Sequence, residues 1–232
     1  MTGILYGAGV GPGDPELMTL KAVRLIKENE IIALPGPAAK ETVAYQIAVQ
    51  AVPELAGKTL LSVDMPMTHD REEMHRNHEK AADAIEVYLK QGQNVVFLTL
   101  GDPTIYSTYL YVQKRILARG YQAELISGIT SFCAAAARSR TPLVEWDEQL
   151  HILPAVHKLN SDLSLPGNYV LMKSGRKMHR VKEILKSSGR DVVMVENCGM
   201  ENEHIYRSAE EIPDDAGYYS LIIAKEPGGR HD

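Results

Sequence analysis

Three times in the first 131 residues, an apolar run breaks at a glycine-bearing turn and restarts as a helical pattern. Ile4-Leu5-Tyr6 runs into Gly7-Ala8-Gly9-Val10-Gly11-Pro12-Gly13-Asp14-Pro15. Val95-Val96-Phe97-Leu98 runs into Gly101-Asp102-Pro103, and Ala123-Glu124-Leu125-Ile126 into Ser127-Gly128-Ile129-Thr130-Ser131. A repeated strand–turn–helix pattern predicts an α/β fold, with a mostly parallel sheet and right-handed crossovers. In such a sheet the turns that follow the strands gather at its carboxyl edge. Pro12, Asp102, Ile105, Thr130 and Ser131 are therefore expected on one rim, and three converging glycine-rich turns are a stronger pocket signal than any one of them.

Between these turns the periodicity predicts helices. One is capped by Thr19 with Leu20, Val23 and Ile26 inward, one covers Thr42 to Val52, and one runs from about Asp70 to Lys90 with Met74, His78, Ala81, Ile85 and Leu89 as its inner stripe. Ile31-Ile32-Ala33-Leu34 and Thr59-Leu60-Leu61-Ser62-Val63 read as further strands. Four successive alanines, Ala134 to Ala137, predict a helix packed very close to another helix or to a ligand. Beyond Pro142, strands are expected at Leu150–Leu153, Tyr169–Met172 and Val192–Val195, with a helix from Met178 to Lys186. Ile205-Tyr206 and Tyr218–Ala224 are spaced as an antiparallel closing pair. Two α/β domains follow, 1–117 and 118–232, the second with a mixed sheet.

The residues bound the chemistry. A formal charge of −5 argues against a general nucleic-acid or membrane-surface binder. Cys133 and Cys198 stand far apart, which suits a reducing cytoplasm better than a disulfide framework. Neither a signal peptide nor a bilayer-spanning run is visible. The first turn fails the dinucleotide fingerprint, because Pro12 stands where the third glycine should be. Asp102 with Pro103 reads either as a helix cap and helix-starting proline or as part of a ligand-facing rim. His75 and His78, near His69 and Asp70, lack a zincin pattern and read as surface or half-buried helix histidines, so no metal is expected. Lys173-Ser174-Gly175-Arg176-Lys177-Met178-His179-Arg180 is a basic cluster at a helix start, where cations are unfavourable, and it points to a polyanionic ligand.

The stretch Val10-Gly11-Pro12-Gly13-Asp14-Pro15-Glu16-Leu17 with Thr19 resembles the N-terminal signature of the tetrapyrrole methylases. Gly101-Asp102-Pro103 and Ser127-Gly128-Ile129-Thr130-Ser131 resemble their second and third motifs, and Glu196-Asn197 a fourth. Gly101 to Thr108, Ser131 to Ala137 and Met65-Pro66-Met67 are most similar to the branch that methylates C-20 of precorrin-2, or of its cobalt form, in cobalamin biosynthesis. The resemblance implies a two-domain class III methyltransferase fold, a homodimer, and S-adenosylmethionine in a cleft between the domains. It assigns cofactor contacts to Pro12, Gly101, Asp102, Ile105, Thr130, Ser131, Met172 and Cys198. Leu100 replaces a glycine that the family motif often carries. Asp102 and Tyr106 are the candidate catalytic residues, and Arg176, Lys177 and Arg180 the candidate contacts to the acidic tetrapyrrole. Methylation at another precorrin position or of uroporphyrinogen, and a non-catalytic adenosyl-ligand binder, are the alternatives.

Overall fold

Residues 2–66, 68, 70–155 and 163–228 are described by the structure, a computed structural model. The chain divides into two units, Met1–Thr130 and Ser131–Asp232. In the first unit β1 (Ile4–Gly9), β2 (Ile31–Pro35), β3 (Thr59–Val63), β4 (Val95–Thr99) and β5 (Gln122–Ile126) form a sheet in the order β3-β2-β4-β1-β5. All its pairings are parallel. β4 is buried along its whole length because both sheet faces are covered, which is why its sequence is an unbroken apolar run. Its side chains alternate between two cores. Val96 and Leu98 join Ile26, Ile47 and Ala48, whereas Val95 and Phe97 join Ile85, Leu89, Val112 and Ile116.

The helices of this unit are α1 (Leu20–Glu28), α2 (Val43–Ala51), α3 (Arg71–Lys90) and α4 (Tyr109–Ala118). Thr19 and Thr42 cap α1 and α2 by accepting from Ala22 N and Tyr45 N, each at 3.3 Å. Asp70 caps α3 by accepting from Glu72 N and Glu73 N. Of the inner face that the spacing predicts for α1, Ile26 is buried and Val23 packs against the core, but Leu20 does not join them. Ala22, Leu25 and Ile26 are buried, while Leu20 is 88% exposed at the first helical position.

In the second unit β6 (Leu150–Pro154), β7 (Asn168–Met172), β8 (Asp191–Glu196), β9 (His204–Tyr206) and β10 (Ser220–Lys225) form a mixed sheet in the order β6-β7-β10-β8-β9. Only β6 and β7 pair in parallel. The expected pairing of Ile205-Tyr206 with Tyr218–Ala224 is corrected. β10 inserts between β7 and β8, and β9 pairs with β8 at the edge. α5 (Ser131–Ser139) packs its buried alanines on β8 and β10, so a sheet is the close neighbour that the alanine run calls for. α6 (Met178–Ser188) buries Met178, Val181 and Leu185. The boundary expected at 117/118 lies upstream of the division at Thr130/Ser131, because β5 completes the first sheet by pairing with β1.

Candidate active site

β4, β1 and β5 are adjacent in the first sheet, so the turns that follow them are neighbours at its carboxyl edge. Backbone bonds tie the first two turns together. Val10 N donates to Thr99 O at 3.0 Å, Gly101 N to Gly11 O at 2.8 Å, and Gly11 N to Gly101 O at 3.3 Å. Asp102, 7% exposed, ties the second turn to the third. Its Oδ2 accepts from Gly128 N at 2.9 Å, while its Oδ1 accepts from Thr104 N at 2.8 Å and from the Thr104 hydroxyl. Thr19 Oγ1, the cap of α1, also donates to Ser127 O at 3.3 Å. The rim expected for Pro12, Asp102, Ile105 and Thr130 is therefore assembled within the first unit.

Gly7 and Gly9 of the first turn owe their places to packing. A Cβ on Gly7 would enter the ring of Tyr109, and one on Gly9 or Gly128 would fall within 3.0 Å of Gly101 O, closer than real Cβ atoms come. This explains why a Gly-x-Gly pattern occurs here without the dinucleotide logic. Asp102 is not the helix cap that its neighbour Pro103 suggests, since α4 begins only at Tyr109. Ser107 Oγ serves that start instead. It accepts from Tyr109 N at 3.2 Å and lies 2.8 Å from Thr99 Oγ1. Neither Ser107 nor Thr99 was legible as a site-supporting residue, because both act across the turn. Leu100, in place of a family glycine, packs against the core that holds Val96 and Leu98.

Tyr106 has φ +50°, a left-handed backbone costly for a residue with a Cβ, and its side chain is 44% exposed. Strain of this kind concentrates where a side chain must be presented in one direction. Ile105 is half-buried beside it. Thr130 Oγ1 is buried with no hydrogen-bond partner, an arrangement costing about 1–3 kcal/mol unless a ligand or water completes it.

In the second unit Met172 ends β7, paired with Leu221, and Cys198 is buried just beyond β8. Lys177 and Arg180 are exposed at the start of α6. The side chain of Arg176, like Met67 and His69, lies outside the described residues. Ser131 opens α5 and is half-buried. His78 stacks on Tyr111 with centroids 4.5 Å apart, and burial lowers its pKa, so its role is packing.

The model of the family described as Tetrapyrrole (Corrin/Porphyrin) Methylases matches residues 4–213. The chain belongs to this family. It is 34% identical over 225 residues to the probable cobalt-precorrin-2 C(20)-methyltransferase of Methanocaldococcus jannaschii, a match covering 95% of each chain. It is 31% identical over 232 residues to the precorrin-2 C(20)-methyltransferase of a Sinorhizobium species, covering 95% of this chain and 94% of that one. The crystal structure of uroporphyrin-III C-methyl transferase from Thermus thermophilus, complexed with S-adenyl homocysteine, superposes with a TM-score of 0.66 at 23% identity, over 97% of this chain and 98% of that one. The fold is that of the class III tetrapyrrole methyltransferases, as the sequence predicts. Among the described residues no helix is long and apolar enough to cross a membrane.

Proposed function

We propose that this chain is an S-adenosylmethionine-dependent C-methyltransferase acting at C-20 of precorrin-2 or its cobalt form, in cobalamin biosynthesis. The full-length match to relatives named for this reaction supports the assignment. The observation in the chain itself that carries it is the buried, unpartnered Thr130 hydroxyl on a rim of three stapled turns. An orphaned donor at this place fits a polar cofactor.

When bound, S-adenosylmethionine supplies an electrophilic methyl group on a sulfonium. Pro12, Gly101, Asp102, Ile105, Thr130 and Ser131 are the residues proposed to hold it, with Met172 and Cys198 carried over from the family motif. The rigid rim restricts the geometry of approach, which is the main task when the nucleophile is an electron-rich ring carbon. Excluding water from the rim protects the reacting groups.

Asp102 and Tyr106 are the candidates for receiving the proton that leaves C-20. Both oxygens of Asp102 already accept bonds from this chain, which favours a bracing role for it. Tyr106 Oη, on a residue 44% exposed, is therefore our proposed relay, taking the C-20 proton as its own phenolic proton passes to solvent. Lys177, Arg180 and Arg176 are proposed to meet the substrate's carboxylates. A cytoplasmic location is proposed, where Cys133 and Cys198 would stay reduced, and a homodimer is proposed on the family resemblance.

Incubation with methyl-labelled cofactor and either metal-free or cobalt-loaded precorrin-2 tests this reading. A product heavier by one methyl group supports it, and label retained wholly in the cofactor refutes it. If cofactor binds without turnover on any tetrapyrrole, the chain is a binding protein instead.

A further inference from the structure

At the edge of the second sheet three segments meet: the ends of β7 and β8 and the start of β10. Leu221 pairs with Met172 and Ser220 with Glu196, and Asn197 N donates to Tyr219 O at 3.0 Å. The turn after β7 lies directly against the one before β10. A Cβ on Gly175 would come within 3.2 Å of Gly217 O and 3.4 Å of Tyr218 Cα. Glu196, the acid of this edge, is engaged by the chain. Its Oε1 accepts from Gly217 N at 2.5 Å and its Oε2 from Tyr206 Oη at 3.3 Å.

Two neighbouring residues in the turn after β7 stand out. Ser174 is 0% exposed, and its hydroxyl has no hydrogen-bond partner. It does not cap the short helix that follows. Lys173 is half-buried and holds φ +59°, a conformation that glycine would adopt at far less cost. Burial lowers the pKa of its ammonium. Tyr218 and Tyr219, 49% and 39% exposed, pack edge to face beside this turn at 5.3 Å, so this side of the turn faces solvent. A half-buried ammonium attracts an anion more strongly than one in bulk water. On the next residue, a buried hydroxyl with no partner supplies a second donor.

We propose that Lys173 and Ser174 form a carboxylate-binding subsite, distinct from the exposed Lys177 and Arg180, and this rests on the methyltransferase reading above. Two sources of carboxylate exist in that reaction: the amino-acid end of the methyl donor and the acidic side chains of the tetrapyrrole. Lys173 would pair with one carboxylate oxygen and Ser174 Oγ would donate to it. A lysine in left-handed backbone is then explained, since glycine would relieve the backbone and lose the charge.

The test measures binding of three probes to the full chain: S-adenosylhomocysteine, 5′-methylthioadenosine (which lacks the carboxylate), and precorrin-2. The variants are Lys173→Met, Lys173→Arg and Ser174→Ala. If the donor is read, Lys173→Met weakens S-adenosylhomocysteine about tenfold and leaves 5′-methylthioadenosine unchanged. If the substrate is read, it weakens precorrin-2 about tenfold, less so at high salt, and leaves both adenosyl probes unchanged. In either case Lys173→Arg restores most of the affinity, and Ser174→Ala weakens the same probe. Unchanged affinity for all three probes overturns the proposal. So does parallel weakening of both adenosyl probes, or equal damage by Met and Arg. If Lys173→Met does not fold, Ser174→Ala with the same probes decides. If wild-type chain does not bind precorrin-2, the functional reading fails, while the adenosyl pair still judges the subsite.

Discussion

The Asp102 carboxylate accepts the Gly128 amide at 2.9 Å across two turns that belong to different strands. Its other oxygen holds Thr104 N at 2.8 Å within its own turn. One side chain thus fixes the spacing of the second and third turns, and through Gly128 it sets the position of Thr130. Asp102→Asn must place an amide NH2 against one of these donors. We expect the S-adenosylhomocysteine Kd to rise about tenfold, with a smaller fall in single-turnover rate at saturating cofactor. Calorimetry and rapid quench measure the two. A large rate loss at unchanged affinity would instead make Asp102 the proton acceptor.

Close approach of the turn backbones gives a second expectation. Gly9→Ala and Gly128→Ala each drive a methyl into Gly101 O, and their neighbour is main chain that cannot swing away. Each should lose about 1–3 kcal/mol of stability, or fail to fold. Gly57→Ala, with nothing within 4 Å of its Cβ, should be close to neutral. Urea denaturation of the three variants tests the contrast.

Tyr109 connects packing to pH. Its hydroxyl donates to Glu124 O at 2.7 Å, and its ring fills the space that a side chain on residue 7 would need. Burial pushes its phenol well above the ordinary value of 10.0. A group whose pKa rises on folding contributes stability below its unfolded pKa and loses it as pH climbs toward the folded one. Stability should therefore fall above pH 10.0, and the alkaline fall should be shallower in Tyr109→Phe. That variant should also lose about 1 kcal/mol at neutral pH, read by denaturant melts at both pH values.

Neutralising Arg176, Lys177 and Arg180 together should weaken tetrapyrrole binding and flatten its salt dependence, leaving S-adenosylhomocysteine affinity unchanged. Titration at low and at physiological salt checks this. An unaltered salt slope would remove the cluster from the substrate's path.

Tyr106→Phe separates presentation from proton handling. It keeps the ring and the backbone strain but removes Oη. A fall in single-turnover rate of about a hundredfold, at unchanged substrate affinity, is expected if Oη relays the C-20 proton to solvent. A rate near wild type would assign Tyr106 to packing against the ring.

The central strands β1, β2 and β4 were legible because doubly covered parallel strands are written as apolar runs, and β1 and β4 run directly into glycine-bearing turns. The rim followed from topology alone. The work of Asp102 was not legible: its partner is a backbone amide 26 positions away, and an amide has no letter in the sequence. Gly7 and Gly9 looked like ligand glycines because close approach to Tyr109 or to another turn leaves the same mark as close approach to a phosphate. β10 misled for a different reason. Its sequence neighbour β9 invites pairing, yet its run Leu221-Ile222-Ile223-Ala224 is buried throughout, as a central strand must be. Leu20 matched a helical period but stands at the first turn of α1, beyond the reach of the core.

The central claim is the site of methylation. Cofactor carrying a ¹³C methyl group, incubated with the protein and with metal-free and cobalt-loaded precorrin-2 in parallel, allows the product to be read by NMR. The account predicts one new methyl resonance coupled to C-20, in at least one of the two reactions. A methyl on any other ring carbon, or no transfer to either tetrapyrrole, would contradict it.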